Sequence, residues 1–145
     1  MMNPLVREIT DFKSLQVYVQ SSQANLVEST KRYYFNLGKK LGLDAKTEMD
    51  VLLEKVQLPK PQLAWLDAGK PVVAFYFCFG SKEEMLAGIF SLLALNADLS
   101  VIITSSKART YSIKEIKTIL EEAVFLNLTT KFLLVDISKE EWLVL

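Results

Sequence analysis

The spacing of apolar positions changes several times along the chain, and each change predicts an element. Behind Asn3-Pro4, Leu5, Ile9 and Phe12 recur at helical spacing, with proline tolerated in a first turn. After Lys13, Leu15, Val17 and Val19 alternate with Gln16, Tyr18 and Gln20, which fits an extension of the helix or a brief strand; helix is the expectation. Asn25 and Glu28 form a capping-box pattern, and Leu26, Thr30, Tyr33 or Tyr34, Leu37 and Leu41 line one face of a helix that should end near Gly42. Glu48 to Gln57 mixes apolar and charged residues and reads as either a short helix or a first strand.

Pro59 and Pro61 stop any helix, because each lacks an amide hydrogen and pushes its predecessor toward extended geometry. Gln62 to Leu66 is then extended, Asp67-Ala68-Gly69-Lys70 supplies turn residues, and Val72 to Phe79 is a continuous β-branched and aromatic run. Such a run belongs in a sheet covered on both faces. Ser81 with Glu84 caps a helix that is apolar nearly all round, Leu99 to Thr104 is a buried strand, and Ser105 to Arg109 is a polar loop at its end. Ser112 with Glu115 caps a helix striped by Ile116, Ile119, Leu120, Ala123 and Val124, and Phe132 to Ile137 is read as the last strand. Ser138 with Glu141 offers a final turn carrying Trp142. A hairpin followed by strands alternating with helices implies an α/β fold with a mixed sheet and right-handed crossovers. No repeat or linker breaks the pattern, so residues 1–145 form one expected domain, with N-terminal helices over 1–45 and a core over 46–145.

Composition narrows the chemistry. Half of the 145 residues are apolar, enough for one substantial core, while 17 basic and 17 acidic side chains cancel and leave no global basic field. The absence of histidine removes the commonest general base and the commonest nitrogen ligand for zinc. A hydrolase built on this chain would need carboxylates. The single cysteine, Cys78, excludes an internal disulfide and fits a reducing, cytoplasmic setting. The most apolar window, Met85 to Leu99, is broken by Gly88, Ser91, Asn96 and Asp98, so neither a membrane span nor a signal peptide is expected.

The order of elements, and the hairpin above all, resembles the core of the PD-(D/E)xK nuclease superfamily, the fold of restriction endonucleases and archaeal Holliday-junction resolvases, over roughly residues 28–137. The resemblance implies a restriction-endonuclease-like three-layer core. In that family a Pro-Asp pair opens one strand and the next carries an acid, one residue, then lysine. The carboxylates hold magnesium at the scissile phosphate, and the lysine activates or orients water. Here Pro61-Gln62 stands at the first element with Gln62 for the aspartate, and Pro71-Val72-Val73-Ala74-Phe75-Tyr76-Phe77-Cys78 at the second, with Tyr76 for the acid and Cys78 for the lysine. An amide, a phenol and a thiol do not assemble a site for a hard divalent cation. The implied domain is therefore catalytically inactive, with no metal and no cofactor. Asp67 and Glu48 are the carboxylates nearby; the first sits where a turn residue is expected, and the second is alone.

Three functions remain. A silent nuclease-like domain would bind DNA or a nucleoprotein complex through Lys31, Arg32, Lys39 and Lys40, the densest cationic cluster, with Lys107 and Arg109 at a strand end. The same cluster is equally a solvated helix face with cations near its C-terminus. A protein-protein module, as a homodimer or the silent subunit of a nuclease complex, would use aromatic anchors among Tyr33, Tyr34, Trp65, Phe79 and Trp142, each of which also suits a core. An enzyme with an unrecognised site would place it at Ser105, Ser106, Lys107 and Arg109, since α/β sheets bind ligands at strand C-terminal ends.

Overall fold

A computed structural model describes residues 3–47, 52–53, 56–57, 61–108, 111–122 and 130–145. Asn3 caps α1 (Pro4–Ile9) through a 2.9 Å bond from the Leu5 amide. The expected N-terminal helix then breaks in two at Thr10 and Asp11. Thr10 turns its hydroxyl back to the Val6 carbonyl at 2.7 Å, and Asp11 accepts from the Ser14 amide at 3.1 Å to start α2 (Phe12–Ser21). The segment after Lys13 is thus helical, as expected, but in a second helix. Asn25 caps α3 (Leu26–Lys40) through the Glu28 amide at 2.9 Å. Beyond α3, the Leu43 amide reaches the Gly38 carbonyl at 2.9 Å and the Gly42 amide reaches Lys39 at 3.0 Å, which closes the helix where Gly42 predicted.

The strands follow as β1 (Asp44–Lys46), β2 (Leu52–Leu53), β3 (Val56–Gln57), β4 (Leu63–Asp67) and β5 (Lys70–Phe77). Strands β2 and β3 pair only with each other, so the described part of the ambiguous 48–57 segment is extended. The turn between β4 and β5 holds Ala68 at φ 51° and Gly69 at φ 81°, both left-handed, as a two-residue hairpin matched to strand twist requires. Helix α4 (Lys82–Leu95) leads to β6 (Leu99–Thr104), a single 3₁₀ turn over Ser106–Ala108, α5 (Ile113–Glu122), β7 (Phe132–Asp136) and β8 (Glu141–Val144). Ser81 and Ser112 cap their helices as expected, with the Glu84 and Glu115 amides each 3.2 Å from the serine hydroxyl, and at Ser112 the Glu115 carboxylate completes the box by accepting the Ser112 amide at 3.2 Å.

The main sheet has six strands in the order β1-β4-β5-β6-β7-β8. The β4–β5, β1–β4 and β7–β8 pairs are antiparallel, while β5, β6 and β7 run parallel, so the sheet is mixed. Two strands lie beyond the sequence reading. The first, β1, begins at Asp44, inside the segment assigned to N-terminal helices; the second, β8, replaces the expected final turn, because Glu140 at φ 54° reverses the chain and returns it along β7.

Both faces of the sheet are covered, which makes this an α/β domain of three layers. Val73, Phe75 and Phe77 of β5, with Val101 and Ile103 of β6, join α1–α3 through Val6, Ile9, Leu15, Tyr34 and Leu37. Ala74 and Tyr76, with Cys78 just past the strand and Ile102 of β6, join α4 and α5 through Met85, Ile89, Leu92, Ile116 and Leu120. The alternation follows from the period of two along a strand. Among the described residues no helix is long and apolar enough to cross a membrane.

A close joint between layers lies where α3 meets β4. Trp65 is fully buried, and its indole N–H donates to the Tyr34 carbonyl at 3.1 Å. Gly38 lies directly over that indole, and a Cβ there would run into the ring. Tyr34 in turn donates its hydroxyl to the Ile9 carbonyl at 2.9 Å, tying α1 to α3. Gly38→Ala is therefore expected to destabilise the fold. Overpacking costs about 1–3 kcal/mol, against a helix-propensity gain of at most about 1 kcal/mol. Urea unfolding checks it, with a lower midpoint and unchanged slope as the expected result.

Candidate functional site

The cationic residues of α3 fall on its outer face because its inner face is spent on Thr30, Tyr34, Leu37 and Gly38, all buried. Lys31, Phe35 and Lys39 form one i, i+4, i+8 ridge, and Arg32, Asn36 and Lys40 form the next. Arg32, Lys39 and Lys40 are exposed, while Lys31 and Phe35 are half-buried. The Lys39 ammonium stands 4.6 Å from the centroid of the Phe35 ring, a cation–π contact that holds the charge over the aromatic face. Beside this ridge a groove of about 190 Å³ is lined by Glu28, Lys31, Arg32, Phe35, Thr47, Gln62 and Leu63. Glu28 is the acid in that lining and offsets part of its charge.

Gln62 reaches the groove from the sheet. Just past β5 the amide of Cys78 donates to Ile103 on β6 at 2.7 Å, so the preceding amide, that of Phe77, points the other way, toward β4. Pro61 occupies the corresponding end of the β4 ladder, and the Gln62 side-chain oxygen takes the Phe77 N–H at 2.5 Å. Gln62 thus serves as a ladder terminator. Tyr76 and Cys78 lie away from it, inside the layer beneath α4. Burial pushes the Tyr76 hydroxyl well above its usual range, with the neighbouring Cys78 and Glu84 adding to the effect. Burial also raises the Cys78 thiol to about 12, so it is a neutral core side chain rather than a nucleophile at neutral pH. Asp67 is exposed at the end of β4 and pairs with Lys70 across the hairpin turn. Glu48 and Arg109 lie outside the described residues. Among the described residues no three His, Cys, Asp or Glu side chains gather as a metal site would require.

Lys107 belongs elsewhere. It follows β6 and lines a separate pocket between the strand ends and α2, together with Ser105 and Ser138. Behind that pocket Asp136, at the end of β7 and 1% exposed, collects hydrogen bonds on one carboxylate oxygen. The amides of Ser106, Ser138 and Lys139 donate to it at 3.3, 3.0 and 3.2 Å, and the Ser138 hydroxyl at 2.8 Å. Burial opposes ionisation of Asp136, but these donors outweigh it and hold the carboxyl below its ordinary value. The cluster fastens two loops. Sequence reading singled out Ser105, Ser106 and Lys107 but not Asp136 or Ser138. Of the aromatic anchor candidates, Trp65 and Tyr34 are core, Tyr33 and Phe79 are half-buried, and Trp142 is 41% exposed.

No family model, curated protein or solved structure matches the chain.

Asp136→Asn should cost about 1–3 kcal/mol at neutral pH, because the charge that balances the buried donors is lost. The wild-type carboxyl titrates below 3.8 when folded, so its contribution is complete above that value and disappears as pH falls through the lower, folded-state value. Urea midpoints measured across acid pH should therefore fall less steeply for the variant than for the wild type.

Proposed function

We propose that this domain binds the phosphate backbone of a nucleic acid along α3 without cleaving it, as a catalytically silent domain of nuclease-like architecture. The observation that carries the reading is the outer half of α3, where Arg32 and Lys39 stand at the centre with Lys31 and Lys40 at its two edges, beside a groove holding Phe35 and Gln62. Cations at this spacing on a rigid helix can follow successive phosphates. Phe35 and the Gln62 amide supply a ring and a polar group near where sugars or bases would lie. The silence of the site rests on three side chains committed to the fold: Gln62 to the Phe77 amide, and Tyr76 and Cys78 to the core.

A second reading, contact with another protein or a second copy of this chain, is favoured by β8. It is an edge strand, and its Trp142 and Val144 are 41% and 42% exposed. Large exposed aromatics are the usual anchors of protein interfaces.

Fluorescence anisotropy with single-stranded, duplex and branched DNA, at low and moderate salt with magnesium present, separates these readings. Binding should weaken as salt rises, with a slope in log K against log salt of about 3–4 for four phosphate contacts on duplex DNA. Reversing charge at Lys31, Arg32, Lys39 and Lys40 together should weaken it at least about tenfold, and gels should show the DNA intact. Unchanged binding in that variant, or magnesium-dependent cleavage, would contradict the proposal. An absence of binding even at low salt would transfer the function to protein contacts.

A further inference from the structure

The pocket at the C-terminal ends of β6 and β7 plays no part in the proposed nucleic-acid surface, yet it has the make-up of a ligand site. Its volume is about 240 Å³. That is below the roughly 300 Å³ at which drug-sized sites begin, so it fits a small molecule. Leu15 and Val19 of α2, Leu26 at the start of α3 and Ile137 after β7 give it apolar walls. Ser105, Lys107 and Ser138 form the polar side. Lys107 is exposed and makes no ion pair with a described residue.

The local backbone fixes that polar side. Ser138 is held by Asp136 at 2.8 Å, shares a 3.0 Å bond with Ser106, and accepts the Lys107 amide at 3.2 Å, so the lysine's position on the chain is set by a buried carboxylate. Gln16 at the rim donates its side-chain amide to Glu140 at 3.1 Å, which joins α2 to the β7–β8 turn across the pocket. Asp136 lies behind the lining with one carboxylate oxygen taken up by four protein donors, so the Lys107 ammonium is the charge that the lining itself presents. Parallel strands ending beneath such a pocket are where α/β sheets bind ligands.

From this we infer that the pocket binds a small amphipathic carboxylate, its apolar body against Leu15, Val19 and Ile137 and its carboxylate at Lys107. An apolar wall opposite a lone cation excludes cationic ligands and gives a neutral analogue nothing to pair with the charge.

The test is an ¹⁵N-HSQC titration of the full chain with hexanoate, with hexanamide as the neutral analogue of equal length. Hexanoate should cause saturable shifts at Val19, Lys107 and Ser138 with a dissociation constant of about millimolar order, as so few heavy atoms allow. Hexanamide, and hexanoate with Lys107→Gln, should each bind at least about tenfold more weakly. Because Lys107 is exposed, that variant keeps its fold, and its spectrum verifies this. The inference is overturned by a lack of saturable shifts at these residues, by equal binding of the amide, or by unchanged hexanoate affinity in the variant.

Discussion

Everything in this structure depends on one strand being buried on both faces. β5 is hydrogen-bonded to β4 on one side and β6 on the other, and its residues alternate between two separate cores. Val73, Phe75 and Phe77 stack into an aromatic cluster with Tyr34 and Trp65, in which the Trp65 and Phe75 rings lie 4.8 Å apart and the Phe75 and Phe77 rings 6.0 Å. Ala74, Tyr76 and Cys78 face α4 and α5. A charged acid and a lysine at positions 76 and 78 would have to be paired or hydrated beneath α4, at a cost of several kcal/mol each if they were not. A phenol and a thiol carry no such demand. The same constraint explains Gln62: beside Pro61 at the ladder's end, an amide oxygen satisfies the Phe77 N–H.

α3 transmits that constraint to the surface. Its inner face is fixed by the Trp65 indole over Gly38 and by the Tyr34 hydroxyl on Ile9, so its outer face cannot rotate away. The cations are presented on a helix whose orientation the core determines. This preorganisation lowers the ordering cost that loosely tethered lysines would incur on binding. The strand-end pocket is built differently, from loops fastened around Asp136, and shares none of its lining residues with the α3 groove.

The long elements were legible because their patterns were strong. Capping-box patterns at Asn25, Ser81 and Ser112 marked helix starts, and Val72 to Phe79 read as a doubly covered strand, which the structure ends at Phe77. What stayed hidden was short or tertiary. β1 is Asp-Ala-Lys, three residues without a β-branched side chain, and becomes a strand because β4 offers it a free edge. Ser138 with Glu141 imitates a helix cap, but Asp136 claims the Ser138 hydroxyl and Glu140 turns the chain into β8. The α3 cluster was legible from spacing along one helix. The grouping of Asp136 and Ser138 with Ser106 and Lys107 was not, since some 30 residues separate the pairs and only the parallel register of β6 and β7 brings them together.

If α3 carries the binding surface, mapping contacts residue by residue will show it. In an ¹⁵N-HSQC titration with a short DNA duplex at low salt, shifts should progress together at Lys31, Arg32, Phe35, Lys39 and Lys40 and at the Gln62 side-chain amide, and should reverse when salt is added. Shifts confined to β8 or to the strand-end pocket, or none at all, would contradict it.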